Sequence, residues 1–106
     1  MKVARGEVWL VNLDPTVGSE VRKTRPAVVI SPPEMHDHVR TVLIAPMTTG
    51  SRPAPFRVEI TLQGKTGLVL LDQVRAVDKA RLVKRLGTAG DTLDVMLSTL
   101  REIFEP

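Results

Sequence analysis

The sequence predicts a mainly β chain closed by one C-terminal helix, built as a small, strongly bent antiparallel sheet or barrel on which the helix packs. Three observations carry this reading: a succession of short apolar segments cut by Pro, Gly and Asp; strict alternation from Phe56 to Leu62; and a switch to helical spacing only after Asp91.

The first strand is read from Glu7 to Leu13, rich in Val, Leu and Trp and closed by Asp14-Pro15. Ala27 to Ile30 is the second, with Pro26 where a strand can begin without an amide partner, and Pro32-Pro33 ends it. "TVLIA" from Thr41 to Ala45 is the third, expected to stop at Pro46. Phe56, Val58, Ile60 and Leu62 then share one face and Arg57, Glu59 and Thr61 the other, the pattern of a sheet with one wet side. Residues 63 to 67, "QGKTG", read as turn material before a strand from Leu68 to Leu71. Val74 to Val77 and Leu82 to Leu86 read as two more short strands around a turn at Asp78 to Arg81, where a helical turn is equally allowed. Leu93, Met96, Leu97, Leu100, Ile103 and Phe104 follow the i, i+3, i+4, i+7 rhythm behind an N-cap at Asp91 or Thr92, so the last segment is an amphipathic helix, with Leu97 counted in its core.

At 106 residues the chain has room for one core, so residues 1 to 106 are read as a single domain. Apolar residues make up 42% and charged residues 25%, ordinary globular values that argue against a disordered tail protein. With no cysteine, neither a disulfide frame nor a thiolate metal site can form. No segment has the length of a membrane span and "MKVARGEVWL" does not read as a signal peptide, so a cytoplasmic protein is expected. The net charge of +3 permits a nucleic-acid partner without demanding one, and any anion site has to come from local clustering.

Such a cluster is present in "GSEVRKTRPAVVIS", Gly18 to Ser31. Arg25 stands directly before Pro26, and a residue before proline is held extended, so its guanidinium is offered from a stiff strand entrance. A guanidinium so held suits a phosphate, which it grips with two parallel hydrogen bonds. Gly18 permits the tight backbone course that Glu20 needs. The plainer reading of the loop is a soluble surface with a weak Glu20 to Arg25 ion pair. Thr48 and Thr49, in "PMTTG", can likewise aim at an anion or form an ordinary turn. His36-Asp37-His38 lacks the companions that make a metal site, so no metal or other cofactor is expected. Lys79, Arg81, Lys84 and Arg85 can form a nucleic-acid stripe but read rather as the solvated edge of a sheet, and Trp9, Phe56 and Phe104 read as packing residues. So few aromatics exclude a base-stacking RNA-recognition sheet.

Taken together, "DPTVGSEVRKTRPAVVIS" (Asp14 to Ser31), "PMTTG" (Pro46 to Gly50) and "GLVLLDQVRAVDKARL" (Gly67 to Leu82), with the opening "RGEVWLVNLDP", resemble the MazF/PemK family of toxin endoribonucleases, in the family's order and spacing. The resemblance runs from Arg5 to Phe104. It implies an SH3-like small β-barrel with a C-terminal helix, a homodimer, and sequence-selective, metal-independent cutting of single-stranded RNA, chiefly messenger RNA. It also implies a cognate antitoxin whose acidic, disordered tail lies across the RNA groove. The family's catalytic arginine falls on Arg25, its catalytic threonine on Thr48 and its loop glutamate on Glu20. Ser19, Arg22, Lys23, Thr49 and Gln73 are the positions expected to bind RNA. The loop interior "VRKT" is more basic than the glycine-containing version common in the family.

Metal-free cleavage requires charge stabilisation at the phosphorane and proton transfer at both ends. Arg25 supplies the charge and Thr48 a hydrogen bond to a non-bridging oxygen. A guanidinium holds its proton at any accessible pH, so Arg25 is a poor base, and Glu20 is the hypothesis for that role, provided that burial or the phosphate strengthens it. Two other readings stay open: a CcdB-like gyrase poison of similar fold, and an RNA-binding module without turnover.

Overall fold

A computed structural model describes residues 2 to 20 and 23 to 106. Seven strands, two α-helices and two 3₁₀ turns follow one another among these residues. The strands are β1 (Glu7–Asn12), β2 (Thr24–Val29), β3 (Thr41–Thr48), β4 (Arg57–Leu62), β5 (Lys65–Leu70), β6 (Arg75–Asp78) and β7 (Leu82–Thr88). The helices are α1 (Pro33–His36) and α2 (Thr92–Phe104).

All strand pairings are antiparallel, in the order β4-β5-β3-β2-β1-β7, with β6 set against β3. The hub is β3. Its first half, Thr41 to Ile44, pairs with β6, and its last two residues, Met47 and Thr48, pair with β5. The register therefore changes partner at Ala45 and Pro46. Pro46 does not stop the strand, as the sequence led us to expect. Proline lacks the N–H that a ladder needs, but this residue falls in the gap between two ladders, where no such bond is asked of it. The consequence is functional, because β3 reaches Thr48 and delivers it from a paired strand.

The central strands are apolar without alternation because both their faces are covered. Trp9, Val11, Ala27, Val29, Val42 and Ile44 meet Leu82 in one core, inside the curl of the sheet. Val8, Val28, Ala45 and Met47 point the other way into a second core closed by Ile60, Val69 and Met96, which come from the β4-β5 hairpin and α2.

Several local expectations are corrected. The β4-β5 turn is only Gln63-Gly64, both at positive φ (51° and 80°), so Lys65 to Gly67 belong to β5. This matches the two-residue hairpin whose twist suits the flanking strands. Leu71 opens a 3₁₀ turn, Leu71–Gln73, and does not extend β5. At Asp78 to Arg81 it is the helical alternative that forms, a 3₁₀ turn over Lys79–Arg81 held by the Ala80 amide donating to Asp78 Oδ1 at 2.8 Å. On α2 the fully buried residue is Met96, whereas Leu97 is only half-buried, because the stripe that packs on the second core is Leu93, Met96 and Leu100 and Leu97 falls at its margin. Of the three aromatics, Trp9 is a core residue, while Phe56 is 37% and Phe104 79% exposed. Asp91 precedes α2 without a side-chain capping bond. The short helix α1 has no apolar rhythm to announce it. It is held by His36, which is buried between Ser31 Oγ, 2.6 Å from Nε2, and the Val3 carbonyl, 3.1 Å from Nδ1.

Candidate active site

The loop between β1 and β2 is shaped at its stem. Lys23 lies at φ 66°, and its amide donates to Asp14 Oδ1 at 3.0 Å while its carbonyl accepts from the Leu13 amide at 3.0 Å. Arg81 crosses from the far side and donates to the Asn12 carbonyl at 3.1 Å and to that of Asp14. Gly18 takes φ +60°, a left-handed course open to glycine, within the tight loop that the sequence reading expected. Thr24 then opens β2, and Arg25 is its second residue, opposite Val11. The guanidinium thus rises from a paired strand, half-buried, as its place before Pro26 implied.

Arg25 and Thr48 line one groove of about 300 Å³. Arg25 and Pro26 form one wall, Met47, Thr48 and Thr49 the floor, and Leu62, Gln63, Lys65 and Gly67 of the β4-β5 hairpin the opposite wall, with Leu86 at the end. The hairpin tip is tied over that end by Gln63 Nε2 donating to the Leu86 carbonyl at 3.2 Å. Thr48 Oγ1 accepts from the Gly50 amide at 3.3 Å, which orients the hydroxyl at the strand end. Two cations and a threonine pair lining one groove with apolar side chains make a site for an anion flanked by apolar contact.

Glu20 and Gln73 sit together elsewhere. They line a neighbouring cavity of about 190 Å³ with Leu13, Pro46, Asp72, Val74 and Arg75. Pro46 belongs to this cavity and Met47 and Thr48 to the groove, so β3 forms the ridge between the two. Glu20 is exposed and its Oε1 accepts from the Val17 amide at 2.5 Å, folding the carboxylate back onto its own loop. Gln73 is half-buried in the 3₁₀ turn that Arg57 anchors through Asp72. Ser19 and Lys23 are exposed on the loop outside both cavities, and Arg22 lies outside the described residues. Sequence reading missed Gln63, Lys65 and Gly67, having assigned them to a turn. The signal was present in Gln63-Gly64, a two-residue hairpin turn that leaves Lys65 onward in strand.

Some of the other charged residues have structural work. Of the four cations read as a solvated edge, Lys79 donates to the His36 carbonyl, Arg81 staples the loop stem and Arg85 pairs with Glu7 at 2.8 Å. Among the described residues no three His, Asp or Glu side chains gather as metal ligands. No described helix is long and apolar enough to cross a membrane.

Fold and groove together define a class: a half-open β-barrel with an arginine and a threonine lining one groove. Residues 4–104 match the family model described as the PemK-like, MazF-like toxin of type II toxin-antitoxin systems, and the chain belongs to that family. Endoribonuclease PemK of Escherichia coli is 41% identical over 95 residues, covering 84% of this chain and 71% of its own. Endoribonuclease toxin MazF of Escherichia coli K12 is 39% identical over 86 residues, covering 80% and 78%. The crystal structure of MazF from Deinococcus radiodurans superposes with a TM-score of 0.83 at 28% identity, over 95% of this chain and 94% of that one. MazF in a MazE-MazF complex from the same organism gives 0.76 at 25% identity, over 95% and 93%. The SH3-like barrel with a C-terminal helix is thus the family's own architecture.

Proposed function

We propose that this chain, an endoribonuclease toxin of the PemK/MazF family, cuts single-stranded RNA at selected sequences, without a metal, by attack of a 2′-hydroxyl on the adjacent phosphorus. The O2′ to phosphorus bond forms, the phosphorus to O5′ bond breaks, and the ends are a 2′,3′-cyclic phosphate and a 5′-hydroxyl. The observation that carries the reading is the pairing of Arg25 and Thr48 in one groove. The Arg25 guanidinium stabilises the charge that grows on the phosphorane, and the Thr48 hydroxyl donates to a non-bridging oxygen. Glu20 takes the 2′-hydroxyl proton once bound RNA draws its loop over the ridge at Pro46, and the departing O5′ takes up a proton from water. Thr49 contacts the RNA backbone in the groove, Gln73 a base in the neighbouring cavity, and Ser19, Arg22 and Lys23 the strand as it enters.

The working form is a homodimer held in check by an antitoxin with an acidic, disordered tail. The solved MazE-MazF complex supports the antitoxin part of this reading, and the cationic walls at Arg25 and Lys65 give an acidic tail its complement.

The test is incubation of the protein and its Arg25→Ala variant with long single-stranded RNAs in excess EDTA, with product ends read by mass spectrometry. Wild type yields discrete fragments ending in cyclic phosphate. Arg25→Ala loses at least about a hundredfold in rate with an unchanged circular dichroism spectrum. Intact RNA with both proteins, across RNAs holding every short word, overturns the proposal and favours a gyrase poison or an inert binder.

A further inference from the structure

We infer that Gly67 is a positioning residue for Thr48: its missing side chain is the space that lets β5 close on the end of β3 and sets where the Thr48 hydroxyl stands in the groove. This rests on the role proposed above for Thr48.

Gly67 lies inside β5, opposite Ile60, and it is not there for its backbone freedom. The glycines at positive φ are Gly6, Gly18, Gly64 and Gly90, and Gly67 is not among them, so any residue could take its backbone course. A strand interior is also where glycine is least favoured. What excludes a side chain is the neighbour. A Cβ on Gly67 would stand 2.8 Å from the carbonyl oxygen of Thr48, 3.3 Å from its carbonyl carbon and 3.6 Å from Thr49 Cγ2. Carbon to oxygen contacts between strands settle near 3.3 to 3.6 Å, so a methyl group here displaces the Thr48 backbone by roughly half an ångström. By contrast, nothing lies within 4 Å of a Cβ at Gly50 or Gly64.

The displaced atom is not a flexible side-chain end. Thr48 is the last residue of β3, held by the pairing with Leu68 on one side and by the Gly50 amide on its hydroxyl. Moving its carbonyl therefore moves the hydroxyl with it. A catalytic group misplaced by about an ångström costs on the order of a hundredfold.

The experiment measures single-turnover and steady-state cleavage by Gly67→Ala, Thr48→Ala and the double variant. Thr66→Ala is the control, an exposed β5 residue whose hydroxyl meets that of Thr61 at 2.9 Å. Activities are normalised to the folded fraction in the cold. Gly67→Ala is expected to lose about tenfold or more in kcat with KM for RNA little changed, while Thr66→Ala keeps wild-type kcat. In the Thr48→Ala background, Gly67→Ala is expected to cost nothing further, because the group it positions is gone. A wild-type kcat in Gly67→Ala, a change confined to KM, an additive loss in the double variant, or a chain that does not fold even in the cold would each overturn the inference. Full cleavage by Thr48→Ala instead removes the proposed role of Thr48, and that failure is read from the single variant alone.

Discussion

Arg57 and Asp72 form a forked ion pair, with Nε donating to Oδ1 at 3.3 Å and Nη2 to Oδ2 at 3.1 Å. Arg57 Nη1 also donates to the Arg52 carbonyl at 3.2 Å, and its guanidinium lies 5.8 Å from the centre of the Phe56 ring. One side chain thereby ties β4 to the loop before it and to the 3₁₀ turn that carries Gln73. The fork gives the pair more definition than an ordinary surface bridge, but both partners keep some solvent contact, with side chains 21% and 32% exposed. Arg57→Ala is expected to lower stability by about 1 kcal/mol, less in high salt, as read from urea unfolding at two ionic strengths. A loss that is the same in both would mean that packing on Phe56, and not charge, is the main contribution.

The helix offers a sharper test of the core. Met96 is completely buried against the second core, and Met96→Ala should cost about 2 to 5 kcal/mol in thermal or urea unfolding. Leu97 lies with Leu100 and Phe104 along a shallow surface groove, so Leu97→Ala should cost clearly less. Equal losses would place the wrong face of α2 against the sheet.

Glu7 gives the fold a pH dependence of known sign. Burial raises its pKa, but hydrogen bonds from the Ala4 amide, the Trp9 indole and Arg85, together with the charge of Arg85, outweigh this and hold the carboxyl below its ordinary 4.5. A carboxyl lowered in the folded state stabilises above its unfolded pKa, and the benefit is lost as pH falls through the folded value. The stability difference between wild type and Glu7→Gln is therefore expected to be flat from neutral pH to about 5, near 1 kcal/mol, and to vanish in more acid solution. A difference that grows on acidification would reverse the assignment.

The base assigned to Glu20 is read from kinetics. If its carboxylate accepts the 2′-hydroxyl proton, the rate falls on the acid side as that carboxylate is protonated, and Glu20→Gln flattens this limb while lowering the plateau. An acidic limb of unchanged shape in the variant removes Glu20 from proton transfer and leaves it a loop residue that folds back on Val17.

What the sequence determined by itself is what short stretches encode. Alternation from Phe56 to Leu62, β-branched runs such as Ala27 to Ile30 and the helical rhythm after Thr92 are local patterns, and each yields an element of the expected type, though β2 starts earlier, at Thr24, and ends at Val29, and β4 starts at Arg57. Arg25 before Pro26 likewise gave its own backbone geometry, because the restriction acts between adjacent residues. Only the tertiary structure decided which partner each strand edge meets. That long-range pairing lets Pro46 sit inside β3, separates Glu20 and Gln73 from Arg25 and Thr48 across a ridge, brings Lys65 over the groove, and sets Gly67 against the Thr48 carbonyl. None of these is written in neighbouring residues, since a missing ladder bond or a missing methyl has meaning only beside the strand that would have met it.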